Sequence, residues 1–227
     1  SNNIYVGWDS REDIAYQVCE HSIRRRTNQN SVNVSPLKQS ELREQKLYWR
    51  EQDKLSSTEF TITRFLVPHL NKFTGWAAFC DCDMVWRSDP SELFSQVDDS
   101  KAVMVVKHDY TPQEGTKMDG QLQMPYPRKN WSSMILWNCG HPKNKALDLE
   151  TVNTASPSFL HRFEWLDDED IGTLDHSWNW LVGWYDVERD GDPKIIHYTE
   201  GGPWFEETRH CEFGHIWKQE LINLYSS

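Results

Sequence analysis

Short apolar runs alternate with amphipathic stretches along this chain, and the alternation predicts its elements. "IYVGW" (4–8) is brief, apolar and rich in β-formers, which predicts a buried strand. Ser10 and Asp13 then have capping-box spacing, and Ile14, Ala15, Val18 and Cys19 recur at helical intervals as far as the basic "IRRR". "VNVSPL" (32–37) predicts a second strand. "STEFTITRFLVPHL" (57–70) places Ile62, Phe65, Leu66 and His69 on one helical face. "WAAFC" (76–80) predicts a third strand, and Asp89 followed by Pro90 predicts a helix start. "KAVMVV" (101–106), "SMILW" (133–137) and "KIIHY" (194–198) predict further strands. The tail "GHIWKQELINLY" predicts an amphipathic helix through Ile216, Trp217, Leu221 and Leu224.

Strands alternating with helices in the first hundred residues predict an α/β fold whose mostly parallel central sheet carries helices on both faces. Beyond that point the pattern is less regular, with polar connections at 108–131 and 167–192. No repeat, low-complexity tract or linker interrupts the chain, so a single domain over 1–227 is the simplest account.

Composition narrows the function. With 227 residues, 37% of them hydrophobic, the chain can bury a sizeable core. A formal charge of −11 repels phosphate backbones and anionic lipid, which argues against nucleic acid and membrane surfaces as partners. An anionic ligand would need a cation between itself and the protein. No apolar run approaches the ~20 residues of a membrane-spanning helix, and no signal peptide is read at the start "SNNIYVGW". Five cysteines without paired spacing predict reduced thiols and a cytoplasmic location. Twelve tryptophans are unusual: such rings stack on sugars, but they also fill cores.

Asp-x-Asp occurs three times, at Asp81/Asp83, Asp168/Asp170 and Asp190/Asp192. The second lies in an acidic cluster and the third brackets Gly191 ahead of Pro193, both ordinary surface or turn settings. The first follows the apolar run Trp76–Cys80. Ligands of such sheets sit beyond the carboxyl ends of strands, and residues i and i+2 of an extended chain face the same side about 6.5–7 Å apart. Asp81 and Asp83 could therefore share one hard divalent cation, Mg²⁺ or Mn²⁺, with positions left open for phosphate oxygens. A pair of charged turn residues is the plain alternative.

"FCDCDMVWRSDPSELF" resembles the metal-binding segment of nucleotide-sugar-dependent glycosyltransferases of the GT-A fold. "IYVGWD" resembles their first strand and nucleotide loop, and "KNWSSMILWN" (129–138) the strand behind the sugar pocket. "KIIHYTEGGPW" (194–204) is similar to the His-Tyr-Thr segment of family 8, the most specific of these likenesses. The resemblance implies a GT-A fold, with a nucleotide-binding half at about 1–107 and a donor-sugar and acceptor half at about 108–227. It implies metal ligation by Asp81, Asp83 and His197, and the imidazole tilts the choice towards Mn²⁺. It places Asp9 at the base or ribose, Arg64 over the nucleotide, Gly201 and Gly202 at the diphosphate, and the small pair Ser132 and Ser133 against the sugar. The family's diphosphate-binding lysine is missing after His-Tyr-Thr, where Glu200-Gly201-Gly202 stands; Lys129 and Arg128 are the substitute cations. "LDHSWNW" (174–180) departs from the family's Asp-Gln-Asp, which marks a divergent branch.

The implied activity is transfer of a hexose from a nucleoside diphosphate sugar, UDP by family habit, to a glycan, lipopolysaccharide or glycoprotein-type hydroxyl, as in polysaccharide biosynthesis, with retention at the anomeric carbon. An inverting enzyme would need a carboxylate base, for which Asp175 and Asp109 are the candidates, ahead of His176 and Glu200. The long stretch 107–133 offers Asp109, Lys117, Asp119, Gln121, Gln123 and Lys129 for hydroxyl contacts. Trp178, Trp180, Trp184 and Trp204 are candidates for an acceptor platform. Two rivals stand beside this reading. A nucleotidyltransferase making nucleotide sugars would want a glycine-rich basic loop where "GWDSREDIAY" stands. A carbohydrate-binding module would need no carboxylate–histidine metal site.

Overall fold

Strand β1 (Asn2–Gly7) is buried from Ile4 onwards, so both of its edges and both of its faces need cover. It pairs in parallel with β2 (Val32–Leu37) on one edge and with β3 (Trp76–Cys80) on the other. β3 then meets β6 (Met134–Asn138) antiparallel, β6 meets β5 (Val103–Val106) antiparallel, and β5 meets β7 (Ile171–Leu174) in parallel. The resulting six-stranded sheet has the order β2-β1-β3-β6-β5-β7, with three of its five pairings parallel. This computed structural model describes residues 2–28, 30–52, 56–108 and 128–227.

A second sheet is small. Its strands are β4 (Met84–Trp86), β8 (Trp180–Leu181) and β9 (Ile195–His197), in the order β4-β9-β8. Among the described residues the helices are α1 (Asp13–Arg24), α2 (Gln39–Glu44), α3 (Val67–Leu70), α4 (Pro90–Phe94), α5 (Leu149–Thr154), α6 (Pro157–His161), α7 (Val187–Asp190) and α8 (Gly214–Ser226). α1 packs on β2, β4 and α8, because Ala15, Val18, Cys19, Ser22 and Ile23 bury one of its faces. Arg25 and Arg26 at its end clamp Glu220 of α8, a carboxylate only 2% exposed. Burial alone would push the Glu220 carboxyl up, but the two guanidiniums outweigh it and hold it below the ordinary range.

The main core runs through all strands of the large sheet, with Phe65, Trp86, Trp137 and Phe163 among its largest fully buried side chains. A satellite core of Val18, Val85, Trp180, Val182, Ile196, Tyr198 and Trp217 sits between the small sheet, α1 and α8. All five cysteines are free; Cys19 and Cys80 are buried with sulfurs 3.9 Å apart, in hydrogen-bond contact without a disulfide. No described helix is long and apolar enough to cross a membrane.

Several expectations change. The Ser10/Asp13 capping box does not form: Asp9 caps a short 3-10 turn at Ser10–Glu12, and Asp13 instead accepts from Trp8 and Gln17. The helix expected across 57–70 is a turn, a 3-10 segment at Thr63–Leu66 and the single turn α3, since Pro68 permits no longer uninterrupted helix. The supposedly irregular stretch 167–192 supplies β7, β8 and α7; β7 is only four residues long and contains Gly172, too short a period to register.

Candidate functional site

The register of the two sheets assembles the site from distant sequence. β3 ends at Cys80, paired with Met134; the ladder continues one step, with Asp81 N–H donating to Ser133 O at 2.9 Å, so Ser133 stands opposite Asp81. On the small sheet, β4 and β9 pair Met84 with His197, and Tyr198 N–H donates to Asp83 O at 2.9 Å. That pairing brings His197 beside Asp83 across 114 residues of sequence (197 − 83). β8 flanks β9 on its other edge and places Asn179, just before Trp180, next to His197.

Asp81, Asp83 and His197 each offer a ligand atom, and these atoms all lie within 4.8 Å of one another. His197 is 4% exposed, while the Asp81 and Asp83 side chains are 17% and 24% exposed at the mouth of the cluster. His197 Nε2 is 3.2 Å from Asp83 Oδ1, and among the described residues this buried oxygen accepts no hydrogen bond. A buried carboxylate oxygen set against an imidazole nitrogen is an environment a divalent cation satisfies, by taking the lone pairs of both. Two carboxylates and one imidazole are also a donor set suited to Mn²⁺ or Mg²⁺. The residues fit a metal.

Electrostatics agree. Burial pushes the Asp81 carboxyl up, Arg64 opposes this and Asp83 adds to it, leaving a value of about 6. Burial alone would lower His197, but Asp83 and Asp81 outweigh it and the imidazole is raised. Negative charge is thus crowded here beyond what Arg64 neutralises.

Arg64, expected over the nucleotide, is only 5% exposed and lies beneath the cluster. Its Nη1 donates to Asp81 Oδ1 at 2.9 Å and to Ser132 O at 2.7 Å, and Nε donates to Thr61 O at 3.0 Å. The guanidinium also faces the rings of Phe79 and Phe60. Asp9 is fully buried: one oxygen accepts from Arg11 N–H and Nε–H, the other from Arg11 Nη2–H and Glu59 N–H. Burial pushes its carboxyl up, but these donors bring it below the usual range. Both oxygens tie the loop after β1 to the segment at Glu59.

A cleft of 300 Å³ opens over the cluster, lined by Asp81, Asp83, His197, Ser133, Gly201 and Trp204 among others. Ser133 Oγ donates to Asn130 O, and Ser132 Oγ pairs with His161 Nδ1 at 2.8 Å. Gly201 has φ +106°, a conformation that favours glycine, and its N–H already donates to Tyr198 O. Gly202 must be glycine for another reason: a Cβ there would lie 1.9 Å from the Trp204 ring. Of the four tryptophans, Trp178 and Trp180 are core residues, Trp184 is 52% exposed, and Trp204 alone of them lines the cleft.

The remaining candidates lie elsewhere. Asp175 caps the 3-10 turn His176–Asn179, accepting from Ser177 N–H and Oγ–H, and does not line the cleft. His176 stacks on Tyr185 and its Nε2 meets Asp190 O. Arg128 is committed to the carbonyls of Arg162, Phe163 and Leu166 and to Asp168, so it is no substitute diphosphate cation. Lys129 is exposed. Asp109, Lys117, Asp119, Gln121 and Gln123 lie outside the described residues. Two further residues belong to the cluster's surroundings. Glu12 lines the cleft, accepts from Trp204 Nε1 and is raised chiefly by burial. Asn179 is fully buried against His197. Asn179 stands in "LDHSWNW" and Glu12 in "GWDSREDIAY", but nothing in either stretch singles them out, and only the fold brings them to the site.

No family model matches the chain. Among solved structures, the glycosyltransferase GlyE of Streptococcus pneumoniae superimposes with a TM-score of 0.60 at 13% identity, over 100% of this chain and 62% of GlyE; this chain thus spans less than two thirds of that protein. The galactosyltransferase LgtC superimposes at 0.59 with 10% identity, over 97% of this chain and 95% of LgtC. Mouse xyloside xylosyltransferase 1 superimposes at 0.55 with 13% identity, over 87% of this chain and 97% of its own. At such identities the likeness shows the fold, which is the GT-A fold. By sequence, Protein CDI of Arabidopsis thaliana is 55% identical over 221 residues, covering 96% of this chain and 85% of that protein, and the chain therefore belongs to the family of Protein CDI.

Proposed function

We propose that this protein is a metal-dependent glycosyltransferase, moving a hexose from a nucleoside diphosphate sugar, UDP in the first instance, to a glycan or other hydroxyl acceptor with retention at the anomeric carbon. One observation carries the reading: on a GT-A fold, Asp81, Asp83 and His197 bring three ligand atoms within 4.8 Å at the floor of a cleft. A bound Mn²⁺ or Mg²⁺ supplies the positive charge that stabilises a departing diphosphate.

The chain's own residues hold and orient. Asp81, Asp83 and His197 bind the cation, and Arg64 fixes Asp81 from beneath. Ser133 and Trp204 wall the cleft where the donor lies, and Gly201 permits close approach of backbone to phosphate. Residues 1–107 hold the nucleotide in this reading, and 108–227 the donor sugar and acceptor, with Ser132 and Lys129 at the sugar side. Asp9 acts on the nucleotide through the loop it ties, since its own oxygens are occupied. Core burial of Trp178 and Trp180 removes much of the argument for a glycan-binding module.

The test is turnover. Incubation with Mn²⁺ and a panel of UDP-hexoses and sugar acceptors should release UDP, and proton NMR of the product should show the donor's anomeric configuration. Release of pyrophosphate from a nucleoside triphosphate and sugar phosphate would instead identify a nucleotidyltransferase.

A further inference from the structure

Resting on the metal reading above, we infer that Asn179 is the positioning residue that selects the metal-binding tautomer of His197, through a directional hydrogen-bond chain anchored on the Asn130 carbonyl. The chain begins at an atom whose role is fixed. Asn130 O can only accept, so Ser133 Oγ, 3.2 Å away, spends its one proton there. Ser133 Oγ must then accept from its other neighbour, the Asn179 side chain at 2.8 Å, which requires the amide NH₂ on that side. The amide carbonyl is thereby turned to His197, where Asn179 Oδ1 lies 2.9 Å from Nδ1. A carbonyl oxygen accepts, so Nδ1 carries the proton.

The consequence falls on the other ring nitrogen. In the neutral imidazole, Nε2 is left with its lone pair, 3.2 Å from Asp83 Oδ1 in the Asp81–Asp83–His197 cluster. The reversed amide would put NH₂ against Nδ1 and a proton on Nε2, closing the site to a cation. Asp83 Oδ1, 3.2 Å from Nε2, is the natural acceptor for such a proton, and among the described residues nothing else donates to it. Asn179 and His197 are 0% and 4% exposed, so water does not compete for these bonds. The arrangement follows from topology: Ser133 stands opposite Asp81 on the large sheet, and β8 carries Asn179 alongside β9.

The experiment is long-range proton–nitrogen NMR of the imidazoles in the metal-free wild-type protein above neutral pH, with His197 assigned by its loss in His197→Gln. A pyrrole-type Nδ1 and a pyridine-type Nε2 are expected; a protonated Nε2 in the neutral ring would overturn the inference. Mn²⁺ titration followed by electron paramagnetic resonance supplies the second readout. Asn179→Ala should weaken Mn²⁺ binding by about 10–100-fold, the usual cost of losing such a supporting contact. Ser133→Ala frees the amide to turn, and should yield a mixture of tautomers in a folded protein. Unchanged Mn²⁺ affinity in Asn179→Ala would overturn the inference even if the spectrum agreed. Failure of the wild type to bind Mn²⁺ would instead refute the metal reading, whereas a wild type that binds Mn²⁺ with Nε2 protonated in the metal-free form would refute the tautomer selection alone.

Discussion

Arg64 and Asp81 form an ion pair beneath the floor of the cleft, Nη1 to Oδ1 at 2.9 Å, with side chains 6% and 17% exposed. The pair offsets part of the charge that Asp81 and Asp83 crowd into one place.

Arg64→Leu should therefore uncover an uncompensated carboxylate. Breaking a buried pair from one side costs about 3–5 kcal/mol, and this one sits near the lower bound because Asp81 touches solvent. Saturating Mn²⁺ should recover more stability in this variant than in the wild type, because the cation replaces the lost charge. Urea unfolding of both proteins with and without Mn²⁺ measures the difference; equal gains would contradict the account.

The pH dependence of the metal-free protein has a definite sign at this site. Asp81, raised to about 6, and His197, also raised, both hold protons more tightly in the folded state than in the unfolded one. Their contribution to stability is therefore full below the unfolded values and is lost as pH rises through the folded ones. Mn²⁺ competes with the same protons, so its affinity should fall as pH drops from ~7.5 to ~5. Calorimetric Mn²⁺ titrations across that range check this, and a flat profile would exclude these ligands.

The Glu220 clamp has the opposite sign. Its carboxyl is depressed by Arg25 and Arg26, so its stabilisation stands above the ordinary glutamate value and is lost as pH falls through the lower folded one. Glu220→Gln should cost about 2 kcal/mol, less than a fully buried pair, because Arg25 is 42% exposed. Thermal melts of the variant should show a weaker acid dependence below pH ~4.5.

Gly202→Ala tests the cleft wall. The added methyl meets the Trp204 ring at 1.9 Å and must displace it, breaking its contact with Glu12. A cost of about 1–3 kcal/mol is expected, with altered tryptophan fluorescence and weaker nucleotide binding. Wild-type binding in this variant would remove Trp204 from the site.

Much of this was legible beforehand because strands and motifs are local signals. The strands at 32–37 and 76–80 emerged with the predicted bounds, and Asp81/Asp83 stood out because an apolar strand precedes them. His197 was reachable only through a family resemblance, since its partner Asp83 is set by β4–β9 pairing. Asn179, inside "LDHSWNW", and Glu12 carry no signal of their own. Arg64 was expected over the nucleotide by resemblance, but its guanidinium is buried against Asp81, the Ser132 carbonyl and the Phe79 ring. β7 and β8 escaped because two to four residues give no measurable period.

The most direct measurement is calorimetric titration of UDP, GDP and CMP in the presence of Mn²⁺, repeated with chelator and with Asp83→Ala. The account predicts that one nucleoside diphosphate binds, UDP first, only with Mn²⁺ and not to the variant. A folded, Mn²⁺-supplied protein that binds none of the three, or that binds UDP equally well with chelator, would contradict it.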